Sequence, residues 1–203
     1  MSMKLQLITA ARDLYLKEGL QGISMRKLAA LCDITAPAIY KHFQDKDSLI
    51  AAIIEEGFHH LKKEMQQALR GRTAASRLKK TGLAYRDFAL KQPAFYQLIF
   101  MSTAQDHGLA QVAHSAKQQL SPSFQFLLMR ITECLAEKHH AKSNSAVKQA
   151  DALEAAARAW SFWHGMVALY LVNLYAPVMK TRDEFEVFFE RAWKHYLDQW
   201  MKE

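Results

Sequence analysis

The segment Ser24-Met25-Arg26-Lys27-Leu28-Ala29-Ala30-Leu31-Cys32-Asp33-Ile34-Thr35-Ala36-Pro37-Ala38-Ile39-Tyr40-Lys41-His42-Phe43 constrains this chain more than any other. Ser24 is a good N-cap for a short helix carrying Met25, Leu28, Ala29 and Leu31, which ends near Cys32. Asp33 stands where the chain must turn, and Asp is among the few non-glycine residues that tolerate the left-handed region. Thr35 then caps a second helix. Pro37 sits in its first turn, where no amide hydrogen is missed. Ile39 and Phe43, at i and i+4, share an inward face. Asp45 caps a third, long helix running from Lys46 to about Leu69. A first helix from about Lys4 to Glu18 precedes all of this, with Leu7, Ile8, Ala11, Leu14 and Tyr15 at helical spacing and Gly19 as its stop.

Two short helices joined by a tight turn can lay the second of them in the DNA major groove. Its inner side must pack on the helices before it, its N-terminal residues must reach base edges, and its flanks must hold phosphate. Ala36, Pro37, Ala38 and Lys41 are left on the outer side. The small apolar residues can meet thymine methyls, and Lys41 can reach guanine acceptors. Thr35, Tyr40 and His42 offer donors for phosphate, and Ser24 and Arg26 open the helix that crosses the backbone. Lys46 places a cation at a helix N-terminus, against the macrodipole. That placement makes sense if Lys46 and the helix-end amides hold a phosphate together; the alternative is a solvated lysine that swings away from the helix axis. The formal charge of +7 suits a polyanionic partner.

The remainder predicts an all-α chain. Only 7 glycines and 4 prolines punctuate 203 residues, and no strand-period alternation, internal repeat or low-complexity tract is present. Helices are expected over Ser76 to Lys91, from Pro93 through Phe100, over Phe124 to Glu137, over Val147 to Tyr175 with Pro177 as the stop, and over Arg182 to Met201. Gln105 to Gln119 reads as a polar helix or loop, and Lys142-Ser143-Asn144-Ser145 as a linker. Ala159 to Met179 approaches the length of a membrane span, but Ser161, His164, Gly165, Asn173 and Pro177 interrupt it. It is expected to be the buried centre of a bundle, with no membrane partner. Cys32 and Cys134 are too few for a disulfide framework, and Met1-Ser2-Met3-Lys4 leads into an amphipathic helix rather than a signal segment. Both point to the cytoplasm.

The C-terminal part is rich in aromatics, which either fill a core or line a cavity between helices. Phe58, Tyr85, Phe88, Phe100, Phe124, Trp160 and His164 are the candidate ligand residues. Trp160 and His164 share a helix face, and His164 either orients a ligand or is a satisfied core histidine. Phe185, Phe188, Phe189, Ala192, Tyr196 and Trp200 form one broad stripe, which suits a four-helix bundle between two copies made from the last two helices.

A different class of function competes. Glu56-Gly57-Phe58-His59 and Glu137-Lys138-His139-His140 are both Glu-x-x-His, the pairing that builds di-iron carboxylate enzymes in helical bundles. Both lie in polar surroundings: Glu137 and His140 precede the linker, and His59 is followed by His60, Lys62 and Lys63. There is no Gly-rich phosphate loop, nucleophile elbow or metal-spaced cysteine pair, so neither an enzyme nor a cofactor is expected.

Leu7-Ile8-Thr9-Ala10-Ala11-Arg12-Asp13-Leu14-Tyr15-Leu16-Lys17-Glu18-Gly19, then Ile23 to Ala29, Ile39-Tyr40-Lys41-His42-Phe43 and Lys46-Asp47-Ser48-Leu49 resemble, in order and spacing, the TetR family of bacterial one-component transcriptional regulators. Asp33 and Pro37 stand where that family more often has glycine. Trp163-His164-Gly165 resembles a C-terminal domain type of the family named for that triplet. The resemblance implies a three-helix DNA-binding domain over residues 1–47 and an effector-binding and dimerisation domain over residues 48–203. It further implies a homodimer on a pseudo-palindromic double-stranded operator, acting as a repressor that a small, largely apolar or aromatic effector releases.

Overall fold

A computed structural model describes residues 2–67, 71–101, 120–138 and 147–202. Their ordered elements are all helices: α1 (Met3–Gly22), α2 (Met25–Leu31), α3 (Ala36–Ile39), α4 (Lys46–Gln67), α5 (Ala74–Lys91), α6 (Pro93–Phe100), α7 (Pro122–Lys138), α8 (Gln149–Leu171) and α9 (Arg182–Trp200). The segments expected at Gln105–Gln119 and Lys142–Ser145 lie outside the described residues. The chain divides into two compact units, one of Met1–His60 with Ala94–Ser121 and one of Leu61–Pro93 with Pro122–Glu203.

The first unit is held by small, local devices. Gly19 takes φ 69°, as its role of helix stop requires, yet one more turn follows before Ile23. Leu7, Ala11 and Leu14 of α1 pack inward with Leu28 and Ala29 of α2 and with Ile23, all nearly or fully buried. The Ser24 hydroxyl accepts the Lys27 amide at 3.1 Å, the expected cap. Asp33 adopts φ 53°, its amide donates to the Ala30 carbonyl, and the Ile34 amide reaches back to Ala29 at 2.9 Å. This paired closure satisfies the last carbonyls of α2 and turns the chain.

Regular helix in α3 is shorter than the spacing suggested. It spans Ala36–Ile39, and looser turns carry the chain on to Phe43, whose amide donates to the Ile39 carbonyl. Thr35 occupies the cap position but makes no side-chain cap bond, contrary to expectation; Pro37 contributes no amide in that first turn. Asp45 does cap α4: its carboxylate accepts the Ser48 amide at 2.7 Å, while the Ser48 hydroxyl accepts the Asp45 amide. Helix α6 belongs to this unit from Ala94 onward. Its Phe95 and Tyr96 are fully buried, and the Tyr15 hydroxyl of α1 donates to the Ala94 carbonyl at 3.0 Å.

The second unit packs α5 against α7, α8 and α9, with α8 also touching α7 and α9. Its centre is a crossing of two indoles. Trp163 and Trp193 are both fully buried, with ring centroids 4.9 Å apart at 85°. They approach the backbone of α5 at Gly82, where a methyl group would lie 2.6 Å from Trp193 Nε1 and 2.7 Å from Trp163 Cε2. Trp193 Nε1 donates to the Lys79 carbonyl at 3.1 Å. Arg86, also buried, pairs with Asp87, donates to the Glu186 carbonyl and lies over the Phe189 ring.

One helix boundary and one aromatic stripe differ here from the sequence reading. Helix α8 ends at Leu171 rather than Tyr175. Asn173 takes φ 63° and the Leu174 amide closes back on Leu169, the same closure as at Asp33, so the helix ends before Pro177 can stop it. The aromatic stripe of α9 is divided. Phe185, Phe189 and Trp200 are buried with Trp193 in the unit's own core, leaving Phe188, Ala192 and Tyr196 with partial exposure. A full capping box of Thr181 and Glu184 opens α9. No helix among the described residues is long and apolar enough to cross a membrane.

Candidate functional site

The turn after α2 and the short α3 present one side inward and one outward. Ile39 is fully buried and Phe43 is 4 % exposed, and Lys4 lies over the outer face of the Phe43 ring. Thr35, Pro37, Tyr40, Lys41 and His42 are exposed, Tyr40 by 54 %, while Ala36 and Ala38 are half-buried between them. Ser24 and Arg26 are exposed at the start of α2. The outer side thus carries a hydroxyl, a phenol, an ammonium and an imidazole around two small apolar residues. That chemistry can read base edges and hold phosphate.

Lys46 makes a contact that its sequence position does not announce. Its ammonium donates to the Leu20 carbonyl at 2.8 Å, tying the start of α4 to the end of α1. A cation tolerated at a helix N-terminus is explained by that carbonyl, and two ammonium hydrogens remain for another acceptor. This contact and the Tyr15–Ala94 bond are positioning contacts that sequence spacing did not signal, because their partners are backbone carbonyls.

The seven candidate ligand residues fall into two groups. In the first unit Phe58 meets Phe100 edge-on, with centroids 5.5 Å apart. In the second unit Tyr85, Phe124, Trp160 and His164 form a chain of contacts. The Tyr85 oxygen is 3.2 Å from His164 Nδ1, the His164 and Trp160 rings are 5.7 Å apart, and Phe124 meets Trp160 at 5.9 Å. Phe88 is buried in the same unit. In the Nε2-protonated tautomer of His164 the Tyr85 hydroxyl donates to Nδ1.

Burial pushes His164 below the ordinary imidazole value of 6.5, so the ring is neutral at pH 7. A histidine with a lowered folded value contributes stability that is fully present above its unfolded value and is lost as pH falls through the folded one. Thermal stability is therefore expected to decline on acidification below about pH 6.5, with His164→Gln flattening that part of the profile. The same slope in the variant and the parent would remove His164 as the group responsible.

The Glu-x-x-His pairs are engaged elsewhere. The Glu137 carboxylate accepts the Ala74 amide at 2.7 Å, stabilising the N-terminus of α5. Glu56 pairs with His60 at 3.4 Å rather than with His59, which is exposed, and His140 lies outside the described residues. Among the described residues no group of three or more His, Cys, Asp or Glu side chains is placed to hold a metal ion. The di-iron alternative finds no support. Cys134 is an inert core thiol, pushed up to about 12 by burial and by Glu137 and Glu133.

A short third helix with a polar outer side, following α1 and α2 in one compact unit, has the arrangement of a helix-turn-helix DNA-binding domain, and a second helical unit accompanies it. Comparison with known proteins agrees. The sequence pattern of bacterial regulatory proteins of the tetR family matches residues 7–53, and that of the tetracyclin repressor-like C-terminal domain matches residues 78–196. The chain belongs to the TetR family of transcriptional regulators. It is 30 % identical over 96 residues to the HTH-type transcriptional activator FasR of Mycolicibacterium smegmatis, a stretch covering 47 % of this chain and 44 % of FasR. The matched stretches span less than half the length of the curated relatives. Among solved structures, a protein of unknown function from Rhodococcus sp. RHA1 superposes with a TM-score of 0.70 at 22 % identity, covering 100 % of this chain and 95 % of that one. A TetR variant from Acinetobacter baumannii AYE in complex with minocycline gives 0.65 at 18 % identity, covering 100 % and 98 %. At these identities the likeness is one of fold.

Proposed function

We propose that this chain is a ligand-responsive repressor that binds a pseudo-palindromic operator as a homodimer in the cytoplasm. The observation that carries the reading is the two-sided segment from Thr35 to Phe43: apolar side chains inward at Ile39 and Phe43, and exposed hydrogen-bonding groups outward. Ala36, Pro37, Ala38 and Lys41 face base edges, and Thr35, Tyr40, His42, Ser24 and Arg26 hold phosphates. Lys46 keeps α1 and α4 in register with its carbonyl bond and offers its remaining hydrogens to the backbone of the duplex.

The last two helices form the dimer contact, using the exposed side of α8 and α9 that the subunit core leaves uncovered. Two recognition segments then stand about 34–36 Å apart, one turn of duplex. The effector lies against Tyr85, Phe88, Phe124, Trp160 and His164 of the second unit; Phe58 and Phe100 pair with each other in the first. A small molecule bound by a neighbour of the same fold, minocycline, is consistent with such a use of the helical body. Helix α4 carries residues of both compact units, so an effector that favours a shifted α4 alters operator affinity. A coupling of about 1–3 kcal/mol weakens binding 5- to 150-fold. FasR, an activator, marks the alternative sign of regulation.

Selection of bound fragments from random duplex DNA tests the reading. The expected result is an inverted repeat whose half-sites are centred about 10 base pairs apart or a multiple of that, with affinity falling steeply as salt rises. Recovery of unrelated sequences, together with no binding at low salt, would overturn it.

A further inference from the structure

The formal charge of +7 is not spread evenly over the chain. The unit that carries the recognition segment, Met1–His60 with Ala94–Ser121, holds eight Lys and Arg against eight Asp and Glu. Pro122–Glu203 holds ten of each. The whole excess lies in Leu61–Pro93, where nine basic residues face only Glu64 and Asp87. Seven of the nine fall within residues 61–80, from the last part of α4 into α5.

Part of this charge is answered inside the second unit. Arg77 pairs with Glu133, Lys79 with Glu190 and Arg86 with Asp87. Lys62, Lys63 and Arg72 take part in no hydrogen bond or ion pair among the described residues. On α4, Leu61 and Met65 are buried at i and i+4, which turns Lys62, Lys63, Gln66 and Gln67 to the other sides of the helix. Lys63, Gln66 and Gln67 are exposed there. Arg72, also exposed, stands on a braced stretch of chain. The Arg77 guanidinium donates to the Gly71 carbonyl at 3.2 Å, the Thr73 hydroxyl accepts the Ser76 amide at 3.1 Å, and Glu137 accepts the Ala74 amide.

The company these cations keep decides which polyanion they fit. Among the described residues of Leu61–Pro93 no large apolar side chain is exposed. An amphipathic membrane contact needs an apolar face to bury among the lipids, and a protein interface needs aromatic or aliphatic anchors. Neither is offered. The exposed neighbours Gln66, Gln67 and Thr73 carry amides and a hydroxyl, groups that donate to phosphate oxygens. Cations and polar donors without an anchor match a phosphodiester backbone, which asks only for charge and hydrogen bonds. Sequence-independent attraction to DNA is electrostatic, and a recognition unit of balanced charge has little of it to supply.

We infer that the end of α4 and the start of α5 form a second DNA contact, in which Lys62, Lys63 and Arg72 hold the phosphate backbone of a duplex without reading its sequence. This surface rests on the DNA-binding reading above and adds to it. The recognition segment chooses the site, and the basic stretch supplies the salt-dependent attraction that keeps the protein on DNA of any sequence.

Fluorescence anisotropy of the full chain on a random-sequence duplex of about 30 base pairs, and on the selected operator, tests this between about 50 and 200 mM salt. The variant combines Lys62→Gln, Lys63→Gln and Arg72→Gln. On the random duplex it is expected to reduce the slope of log affinity against log salt by about 2–3, and affinity at the lowest salt on the order of 100-fold. Its preference for the operator over the random duplex is expected to persist. Lys62→Arg, Lys63→Arg and Arg72→Lys together keep the charge and are expected to keep the parental slope. An unchanged slope in the glutamine variant overturns the proposal, and leaves the recognition segment standing if the operator is still preferred. So does loss of binding to phosphatidylglycerol vesicles in that variant with DNA binding unaltered, since the cations then serve a membrane. A parent that binds neither duplex at low salt overturns both readings.

Discussion

Replacing Tyr40 and Lys41 together by alanine is expected to lower operator affinity by about 30- to 1000-fold, with little change in melting temperature. Both side chains stand on the outer side of the recognition segment, exposed, and neither takes part in a hydrogen bond or ion pair among the described residues. Their loss leaves no cavity and no stranded polar group, so the fold should feel it by no more than about 0.5 kcal/mol at each site. On DNA the account is different. A well-formed base or phosphate contact contributes about 1–3 kcal/mol, and losing two at about 1–2 kcal/mol each gives the range stated. Lys41→Ala alone should also reduce the slope of log affinity against log salt by about 1 if it meets phosphate, and relax preference at one base pair if it meets guanine. Fluorescence anisotropy on the selected duplex at several salt concentrations separates these outcomes. Parental affinity in the double variant would show that another surface holds the DNA.

Trp163→Ala is expected to cost about 3–5 kcal/mol, a fall in melting temperature of about 6–20 °C for a chain of this size. The indole is fully buried and meets Trp193 and Tyr85, so truncation removes a large packed ring and leaves a cavity that rigid neighbours cannot close. Gly82→Ala attacks the same crossing from the opposite side. Its methyl group would overlap Trp163 Cε2 and Trp193 Nε1, an overpacking worth about 1–3 kcal/mol. Trp163→Phe removes the ring atoms nearest Gly82, along with a buried indole N–H that finds no partner among the described residues. Combining Gly82→Ala with Trp163→Phe is therefore expected to cost less than the sum of the two changes. Strict additivity in thermal or denaturant unfolding would mean that Gly82 and Trp163 do not share one packing site.

Much of this protein is legible from residue types alone. Ser24, Asp33 and Asp45 announce their turns because each acts on backbone groups two to four residues away, and local geometry is what spacing encodes. Ile39 and Phe43 announce their burial by the same logic. Local signals also have limits. Pro37 and Thr35 mark where α3 starts without revealing that regular helix lasts only to Ile39. Asn173 ended α8 before the more conspicuous Pro177, since a left-handed Asn needs only its neighbours' carbonyls and leaves no motif as plain as a proline. The bond from Lys46 to the Leu20 carbonyl could not be read from spacing, because a backbone carbonyl carries no side-chain signature.

The helical class, the caps and turns, and the two-sided recognition segment follow from short-range chemistry, in which every participant is close along the chain. Which aromatics fill the core and which remain outside does not. Phe185 and Phe188 have the same composition and nearly the same place on α9, yet one stacks on Tyr170 at 4.0 Å inside the unit and the other stays 36 % exposed. That division depends on where α8 and α5 press against α9, a matter of ring shape and of the clearance at Gly82, and such contacts join residues about a hundred positions apart whose pairing no local period records.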